Sequence, residues 1–146
     1  MIVSPLNAFS LQQIQSIFSQ GEPWLPQQTD YWLWQTCFAS TSFIAAEAEA
    51  LAGGVLACLN QDALEEVYVD QVAVDRAWRG RGVTGLLLEA VCTAARRRGC
   101  KKVWLSTDPA NPATQVWPRY GFLPLGVKPD FKGPGKDRAL FERSLA

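Results

Sequence analysis

One segment, VAVDRAWRGRGVTGLLLEAV at residues 72–91, limits the possible folds of this chain more than any other. Its first residues are typical of a strand, a turn rich in glycine and arginine follows at 79–85, and the turn opens directly into an amphipathic helix. Gly80, Gly82 and Gly85 let backbone N–H groups crowd toward one point, and the helix N-terminus behind them adds about half a positive charge. The turn is therefore a candidate anion-binding site.

Two alternatives stay open for this turn. Arg79 and Arg81 can add direct contacts to phosphate oxygens, which favours a ligand. The glycines also permit a tight strand-to-helix connection without any ligand. Two familiar phosphate motifs are absent, because the sequence contains neither GxxxxGK[ST] nor a GxGxxG fingerprint with a following βαβ unit and acidic residue.

The remaining pattern predicts an α+β fold in a single domain, 1–146, with helices packed on a mixed sheet. Helices are predicted over 10–20, over 31–38, from the turn to Gly99, and from Asn111 to a break or kink at Pro118. The aromatic residues of 31–38 also suit a strand. Residues 21–26 are predicted to form a loop.

Strands are predicted as a hairpin of 42–47 and 54–59 with a glycine-containing connection, as single strands over 67–74 and 102–106, and as a terminal hairpin of 122–127 and 138–145. Alternation along 67–74 predicts one face of Val67, Val69, Gln71 and Ala73 and another of Tyr68, Asp70, Val72 and Val74.

Composition excludes several kinds of chemistry. The chain contains no histidine, which removes Ser-His and Cys-His catalytic schemes. Its four cysteines form no CxxC pair, so we expect no metal site and small buried thiols in a reducing cytoplasm. No apolar run approaches the roughly 18–20 residues of a membrane span, and MIVSPLNAF lacks a basic leader, so we expect a soluble cytoplasmic protein without a membrane partner.

The charges are divided between the two halves of the chain. The first 75 residues hold nine acidic side chains and no Lys or Arg, whereas all 14 basic residues lie from Arg76 onward against five acidic ones. The halves either neutralise each other across their contact, or form a bipolar site with a polyanion on the basic half and a cation on the acidic half. No nucleic-acid partner is expected, because the sequence pI is about 6.2.

Two motifs together resemble a known family. RGRGVT at 79–84, after VAV at 72–74, resembles the acetyl-CoA pyrophosphate loop of the GNAT N-acetyltransferases, written Q/R-x-x-G-x-G/A. NPATQVWPRYGF at 111–122 is similar to the later family segment in which an Asn opens a helix that ends in Gly-Phe. The resemblance implies a mixed, mostly antiparallel central sheet flanked by helices, in a monomer or homodimer.

The same resemblance implies an activity. It is acetyl-CoA-dependent transfer of an acetyl group to a primary amine of a small molecule or protein, by direct attack of the amine on the thioester. The alternative is a catalytically weak or inactive CoA-binding or protein-interaction module of the same fold. In either case coenzyme A, as acetyl-CoA, is the implied cofactor.

Cofactor-binding roles follow from the resemblance. The strand end Val72, Ala73 and Val74 would bind the pantetheine arm and polarise the thioester carbonyl. The pyrophosphate would be held by the turn, namely Arg79, Gly80, Arg81, Gly82, Val83, Thr84 and Gly85. Asn111 and Trp117 would contact the cofactor at the later segment. Thr84 departs from the family, which usually has a second Gly or Ala there.

The catalytic assignments also come from the resemblance. Trp117 stands where the family usually has a Tyr that protonates the departing thiolate, and Tyr120 lies nearby in sequence. Asp70 is the predicted general base, and Tyr68, on the same strand, is a further catalytic candidate. Glu66 is the second choice for the base. The alternative for Asp70 is a structural role as a strand carboxylate paired with an arginine. The acceptor amine would approach acidic and aromatic groups of the N-terminal half, with Trp24, Trp32 and Trp34 either as cation–π partners or as core residues.

Overall fold

A computed structural model describes residues 1–21, 24–25 and 29–146 of the chain. Within them, seven strands form one sheet in the order β1-β2-β3-β4-β5-β7-β6. The strands are β1 Ile2–Pro5, β2 Phe43–Glu47, β3 Ala50–Leu59, β4 Glu66–Val74, β5 Lys102–Thr107, β6 Leu123–Lys128 and β7 Arg138–Ser144. Every neighbouring pair is antiparallel except β4 with β5. The predicted mixed, mostly antiparallel sheet is confirmed, and β1 is a strand that the sequence analysis did not predict.

Three α-helices flank this sheet, α1 Leu11–Phe18, α2 Tyr31–Cys37 and α3 Val83–Arg97. The helix predicted over 10–20 begins with a capping box, because Ser10 Oγ accepts from Gln13 N and the Gln13 side chain accepts from Ser10 N. Residues 31–37 of the predicted segment are helical rather than extended, and the Asp30 side chain accepts from Leu33 N. Part of the loop predicted over 21–26 lies outside the described residues.

The helices bury two separate apolar clusters, one on each face of the sheet. Side chains of α3 such as Leu87 and Val91 pack with Val67, Val69 and Val103. On the other face Ile14 and Phe18 of α1 pack with Tyr31, Ile44 and Leu56. Burial of this apolar area stabilises the sheet from both sides and fixes where its strands end.

The first hairpin differs from its prediction at the turn. β3 begins at Ala50 rather than at residue 54, and the connection is Ala48–Glu49, with Ala48 at φ 52°. The glycine predicted for the connection, Gly53, lies inside β3. A Cβ on Gly53 would stand 2.7 Å from Ala73 O, so the residue permits a close approach of β3 to β4 instead of a turn.

Strand β4 contains a bulge, which makes the single alternation predicted for it wrong. Leu56 pairs with Gln71 and Ala57 with Val69, so Asp70 is an extra residue on β4. Before the bulge Val67 and Val69 face α3; after it Val72 and Val74 face α3, while Ala73 faces α1. The extra residue moves every later side chain to the opposite face.

Two further predictions need correction. The short helix after Asn111 is a pair of 3₁₀ helices, Pro112–Gln115 and Trp117–Tyr120, because Pro118 lacks an N–H and can occupy only the first turn of a helix. The expectation of buried thiols holds for Cys92 and Cys100, but Cys37 is exposed. None of the described helices has the length and apolar character needed to cross a bilayer.

Candidate functional site

A cleft of about 1050 Å³ opens where β4 and β5 diverge. Their parallel pairing runs from Glu66↔Lys102 to Val69↔Leu105 and then stops, although β4 continues to Val74. The cleft is bordered by both strand ends, the end of α1, the turn before α3, the two 3₁₀ helices and the loop between β6 and β7. The diverging strands therefore leave backbone and side-chain groups of β4 open to a ligand.

The backbone of β4 presents alternate residues to this cleft. Asp75 N donates to Ala52 O at 2.8 Å, so the groups of Asp75, Ala73 and Gln71 point toward β3. Those of Val72 and Val74 point the other way, toward the open side. Arg79 Nε donates to Val74 O at 3.2 Å on that side. Val72 and the N–H of Val74 thus supply strand-edge groups without a partner among the described residues, while Val74 O is occupied by Arg79; Ala73 lines the cleft with its backbone turned toward β3.

The glycine-rich turn leaves a row of backbone amides free. Gly80 and Gly82 have φ of +77° and +79°, and a Cβ added to either would meet no atom within 4 Å. The first backbone bond of α3 is Leu86 N to Gly82 O at 3.2 Å. The amides of residues 80–85 make no well-aligned hydrogen bond to a protein acceptor in the described parts of the chain. These donors and the helix dipole are available to an anion.

Side chains around the turn are fixed by contacts with neighbouring residues. The Arg81 guanidinium lies 5.0 Å from the Trp78 ring centroid. Gln20, in the 3₁₀ turn Ser19–Gly21 after α1, donates to Asp75 Oδ2 at 2.9 Å and accepts from Arg76 N at 3.1 Å. Val83 is buried, while Thr84 lines the cleft. The turn is therefore anchored to both layers beside the cleft.

The later segment contributes Asn111, Trp117 and Tyr120 to the same cleft. Asn111 Oδ1 accepts from Ala113 N at 2.9 Å and so caps the first 3₁₀ helix. The Tyr120 ring approaches α3 closely, because a Cβ on Gly85 would stand 3.3 Å from it. Trp117 Nε1 is buried and has no acceptor among the described residues. This nitrogen is a hydrogen-bond donor without acid function.

Asp70, the bulge residue, lines the cleft with 20% of its side chain exposed. Its Oδ2 accepts from Gln71 Nε2 at 3.2 Å, and its Oδ1 lies 4.0 Å from Lys132 Nζ. The cation beside Asp70 is thus a lysine from the loop between β6 and β7. Gln71 is 2% exposed and donates also to Thr29 Oγ1 at 3.1 Å. The sequence analysis did not select Gln71, because it predicted no bulge.

The other two candidates on β4 lie farther from the cleft. Tyr68 does not line it; its hydroxyl is 3.0 Å from Ser106 Oγ, which also accepts from Arg138 Nε at 3.1 Å. Burial raises the pKa of Tyr68, so this hydroxyl stays protonated at neutral pH. Glu66, at the opposite end of β4, pairs with Lys102 at 3.2 Å. The geometry brings Asp70 to the cleft but not Glu66.

The tryptophans proposed for the acceptor have different environments. Trp24 lines the cleft and is 38% exposed. Trp32 is 60% exposed and does not line it. Trp34 packs against Phe38, with 4.8 Å between the ring centroids. Of the three, Trp24 is therefore the one available to a ligand in the cleft.

Residues 11–122 match a family model described as the acetyltransferase (GNAT) family. The L-2,4-diaminobutyric acid acetyltransferases of Streptomyces coelicolor and Halalkalibacterium halodurans are 32% and 31% identical to this chain, over 58% and 54% of its length. The matches cover 51% and 42% of those relatives, so the chain spans about half the length of the curated relatives it matches.

Solved structures resemble this fold over nearly its whole length. Ard1 from Thermoplasma volcanium gives a TM-score of 0.78 at 19% identity, covering 99% of this chain and 97% of that one. An aminoglycoside 6'-N-acetyltransferase complexed with coenzyme A gives 0.75 at 13% identity, covering 100% and 98%. At these identities the likeness concerns the fold alone.

Proposed function

Because the chain belongs to the GNAT acetyltransferase family, we propose that it transfers an acetyl group from acetyl-CoA to a primary amine of a small molecule or protein. The observation that carries this proposal is a row of amides at 80–85 that have no hydrogen-bond partner among the described residues, beside a cleft between diverging strands. Acetyl-CoA, when bound, supplies a thioester whose carbonyl the amine attacks directly. The relatives named as diaminobutyric acid acetyltransferases support an amine acceptor.

The residues around the cleft fit coenzyme A. The amides of 80–85 and the start of α3 would hold the diphosphate, since they have no hydrogen-bond partner in the part of the chain that the structure describes. Arg79 and Arg81 would add positive charge, and Thr84 a hydroxyl donor. The backbone groups of Val72 and the N–H of Val74 would pair with the amides of the pantetheine arm as a neighbouring strand does. Asn111 and Trp117 would border the cofactor from the other side.

Asp70 is the proposed base. An amine is largely protonated near neutral pH, so its proton must be removed before or during attack. Asp70 is an ionisable carboxyl group that lines the cleft on β4, close to the free backbone groups of Val72. We propose that it binds the ammonium group and accepts its proton directly or through water. Tyr68 would act as a positioning residue through Ser106.

The departing sulfur needs a hydrogen-bond donor or an acid. Trp117 Nε1 can donate a hydrogen bond but cannot release its proton, so Tyr120 is the proposed acid. A positioned acid typically increases the rate by about 10²–10⁴-fold. A thiol with a pKa of about 8.5 is a good enough leaving group to depart as the thiolate without an acid. Because residue 117 is Trp where the family usually has Tyr, we expect catalysis to be slower but not abolished.

Trp117 and Thr84 favour a second candidate function. Both depart from the usual family residues, and a chain of this fold without efficient chemistry would bind CoA or another protein without turnover. Acetyl-CoA binding by calorimetry, followed by an amine panel read by mass spectrometry, separates the candidates. A thiol reagent is unsuitable because Cys37 is exposed. Acetylated product supports the enzyme, and acetyl-CoA binding without product supports the second candidate. Absence of acetyl-CoA binding refutes the enzyme and the CoA-binding form of the second candidate.

A further inference from the structure

We propose that the amine acceptor also carries a carboxylate, which Lys132 binds while Asp70 binds the ammonium group. The inference rests on the proposed function and names its substrate class. Its basis is a juxtaposition across the cleft: Lys132 Nζ, from the loop between β6 and β7, lies 4.0 Å from Asp70 Oδ1 on β4, and both residues line the cleft. The ammonium group of a zwitterionic acceptor would pair with Asp70, and its carboxylate would pair with Lys132.

The charge of this side of the cleft favours such an acceptor. Its lining includes the cations Lys132, Lys136 and Arg138 and the carboxylates of Asp70, Asp108 and Asp137. Charges of both signs are therefore present in equal number, and a simple amine or polyamine could pair only with the carboxylates. A zwitterion pairs with a carboxylate and with a cation at once, which favours an amino acid over the corresponding amine.

The loop that carries Lys132 is held in place by its own hydrogen bonds. Asp130 Oδ1 accepts from Gly135 N at 2.7 Å, and Asp130 N donates to Asp137 Oδ1 at 2.9 Å. A backbone hydrogen bond from Lys132 N to Lys136 O, at 3.2 Å, joins the two sides of the loop. These bonds fix the loop that places Lys132 Nζ 4.0 Å from Asp70 Oδ1.

Lys132 itself lacks a complete set of partners. Its side chain keeps 38% of its surface exposed, and partial burial lowers its pKa while the charge of Asp70 opposes that change. At 4.0 Å the contact with Asp70 is longer than a hydrogen bond, and Nζ has no hydrogen-bond acceptor in the described ranges 1–21, 24–25 and 29–146. An ammonium with three donors and one distant carboxylate is suited to bind a second anion.

The test compares acceptors that differ by one carboxylate. The pairs are 2,4-diaminobutyrate with 1,3-diaminopropane, ornithine with putrescine, and lysine with cadaverine. For the pair that is acetylated, wild type is expected to prefer the amino acid by at least about tenfold in kcat/KM. Lys132→Gln should remove this preference by raising KM for the amino acid relative to KM for the plain amine. Lys132→Arg should retain it.

Lys128→Gln is the matched control. It makes the same charge change on β6, where the Lys128 ammonium lies 5.4 Å from the Phe131 ring and does not line the cleft. Its preference should equal that of wild type. The inference is overturned if wild type prefers the plain amines, or if Lys132→Gln reduces kcat/KM equally for both members of a pair.

Failure of the proposed function gives a different result. If acetyl-CoA binds but no acceptor is acetylated, or if acetyl-CoA does not bind, the function is refuted by those measurements alone. Calorimetric binding of the same pairs to wild type and Lys132→Gln, with CoA present, then tests the inference. Tighter binding of the amino acid that depends on Lys132 supports it, and equal binding contradicts it.

Discussion

Substitution of Gly82 by Glu tests the anion-binding turn quantitatively. A side chain fits sterically at this residue, because an added Cβ would meet no atom within 4 Å. Two unit charges about 4 Å apart interact by roughly 1 kcal/mol in bulk water and by about 4 kcal/mol at an effective dielectric constant of about 20. A diphosphate carries about two negative charges, so the repulsion is at least about 2 kcal/mol, or an approximately 30-fold weaker Kd for acetyl-CoA.

Backbone strain must be separated from this charge effect. Gly82 has φ +79°, and a residue with a Cβ costs about 1–2 kcal/mol in that region. Gly82→Ala carries the same strain without the charge. Gly99→Glu carries both, since Gly99 has φ +77° and open surroundings, but lies at the other end of α3. All three variants are expected to lose about 2–8 °C in Tm.

Calorimetric titration of acetyl-CoA at one fixed ionic strength supplies the comparison. Gly82→Glu should bind at least about 30-fold more weakly than Gly82→Ala, and Gly99→Glu should bind as wild type does. A Kd for Gly82→Glu within twofold of that for Gly82→Ala would refute the assignment of the diphosphate to this turn.

Three other substitutions address the chemistry and the anchoring of the turn. Asp70→Asn should lower kcat about 100-fold or more with little change in acetyl-CoA affinity, and an unchanged steady-state rate would make Asp70 structural. Trp117→Tyr should raise kcat by up to about tenfold while Trp117→Phe does not, and equal rates in both would exclude an acid at residue 117. Asp75→Ala should cost about 1 kcal/mol of unfolding free energy at neutral pH in denaturant titrations, because the Asp75 carboxylate caps a 3₁₀ helix through Ala77 N and accepts from Gln20. Hydrogen bonds from Gln20 and Ala77 lower the pKa of Asp75 in the folded protein. The stabilisation is therefore full above the unfolded-state pKa of about 3.9 and should fade as the pH falls through the folded-state pKa. If the stability difference between wild type and Asp75→Ala persists unchanged in acid, the charge of Asp75 does not have this role.

The turn and the helix after it are predictable from sequence because their signals are local. Gly80 and Gly82 adopt positive φ where the chain must leave a strand and enter α3, and only neighbouring residues decide that geometry. The capping box of Ser10 and Gln13 is likewise contained within one helical turn. These signals act over a few residues, so a single sequence suffices to read them.

The acceptor side of the cleft depends instead on contacts distant in sequence. The bulge at Asp70 is set by the register of β4 against β3, which periodicity along β4 alone does not reveal. Lys132 lies near Asp70 because the sheet order β4-β5-β7-β6 places the loop between β6 and β7 beside the end of β4. The sequence analysis therefore identified Asp70 but neither its neighbour Gln71 nor the lysine opposite it.

The most direct test of the central claim is the amide spectrum of ¹⁵N-labelled protein titrated with coenzyme A and, separately, with pantetheine, which lacks the diphosphate. The account predicts that the N–H resonances of Gly80, Gly82, Thr84 and Gly85 shift strongly with coenzyme A and little with pantetheine, whereas those of Val72 and Val74 shift with both. If the four turn amides keep their chemical shifts at saturating coenzyme A while other resonances move, the turn does not bind the diphosphate and the account is contradicted.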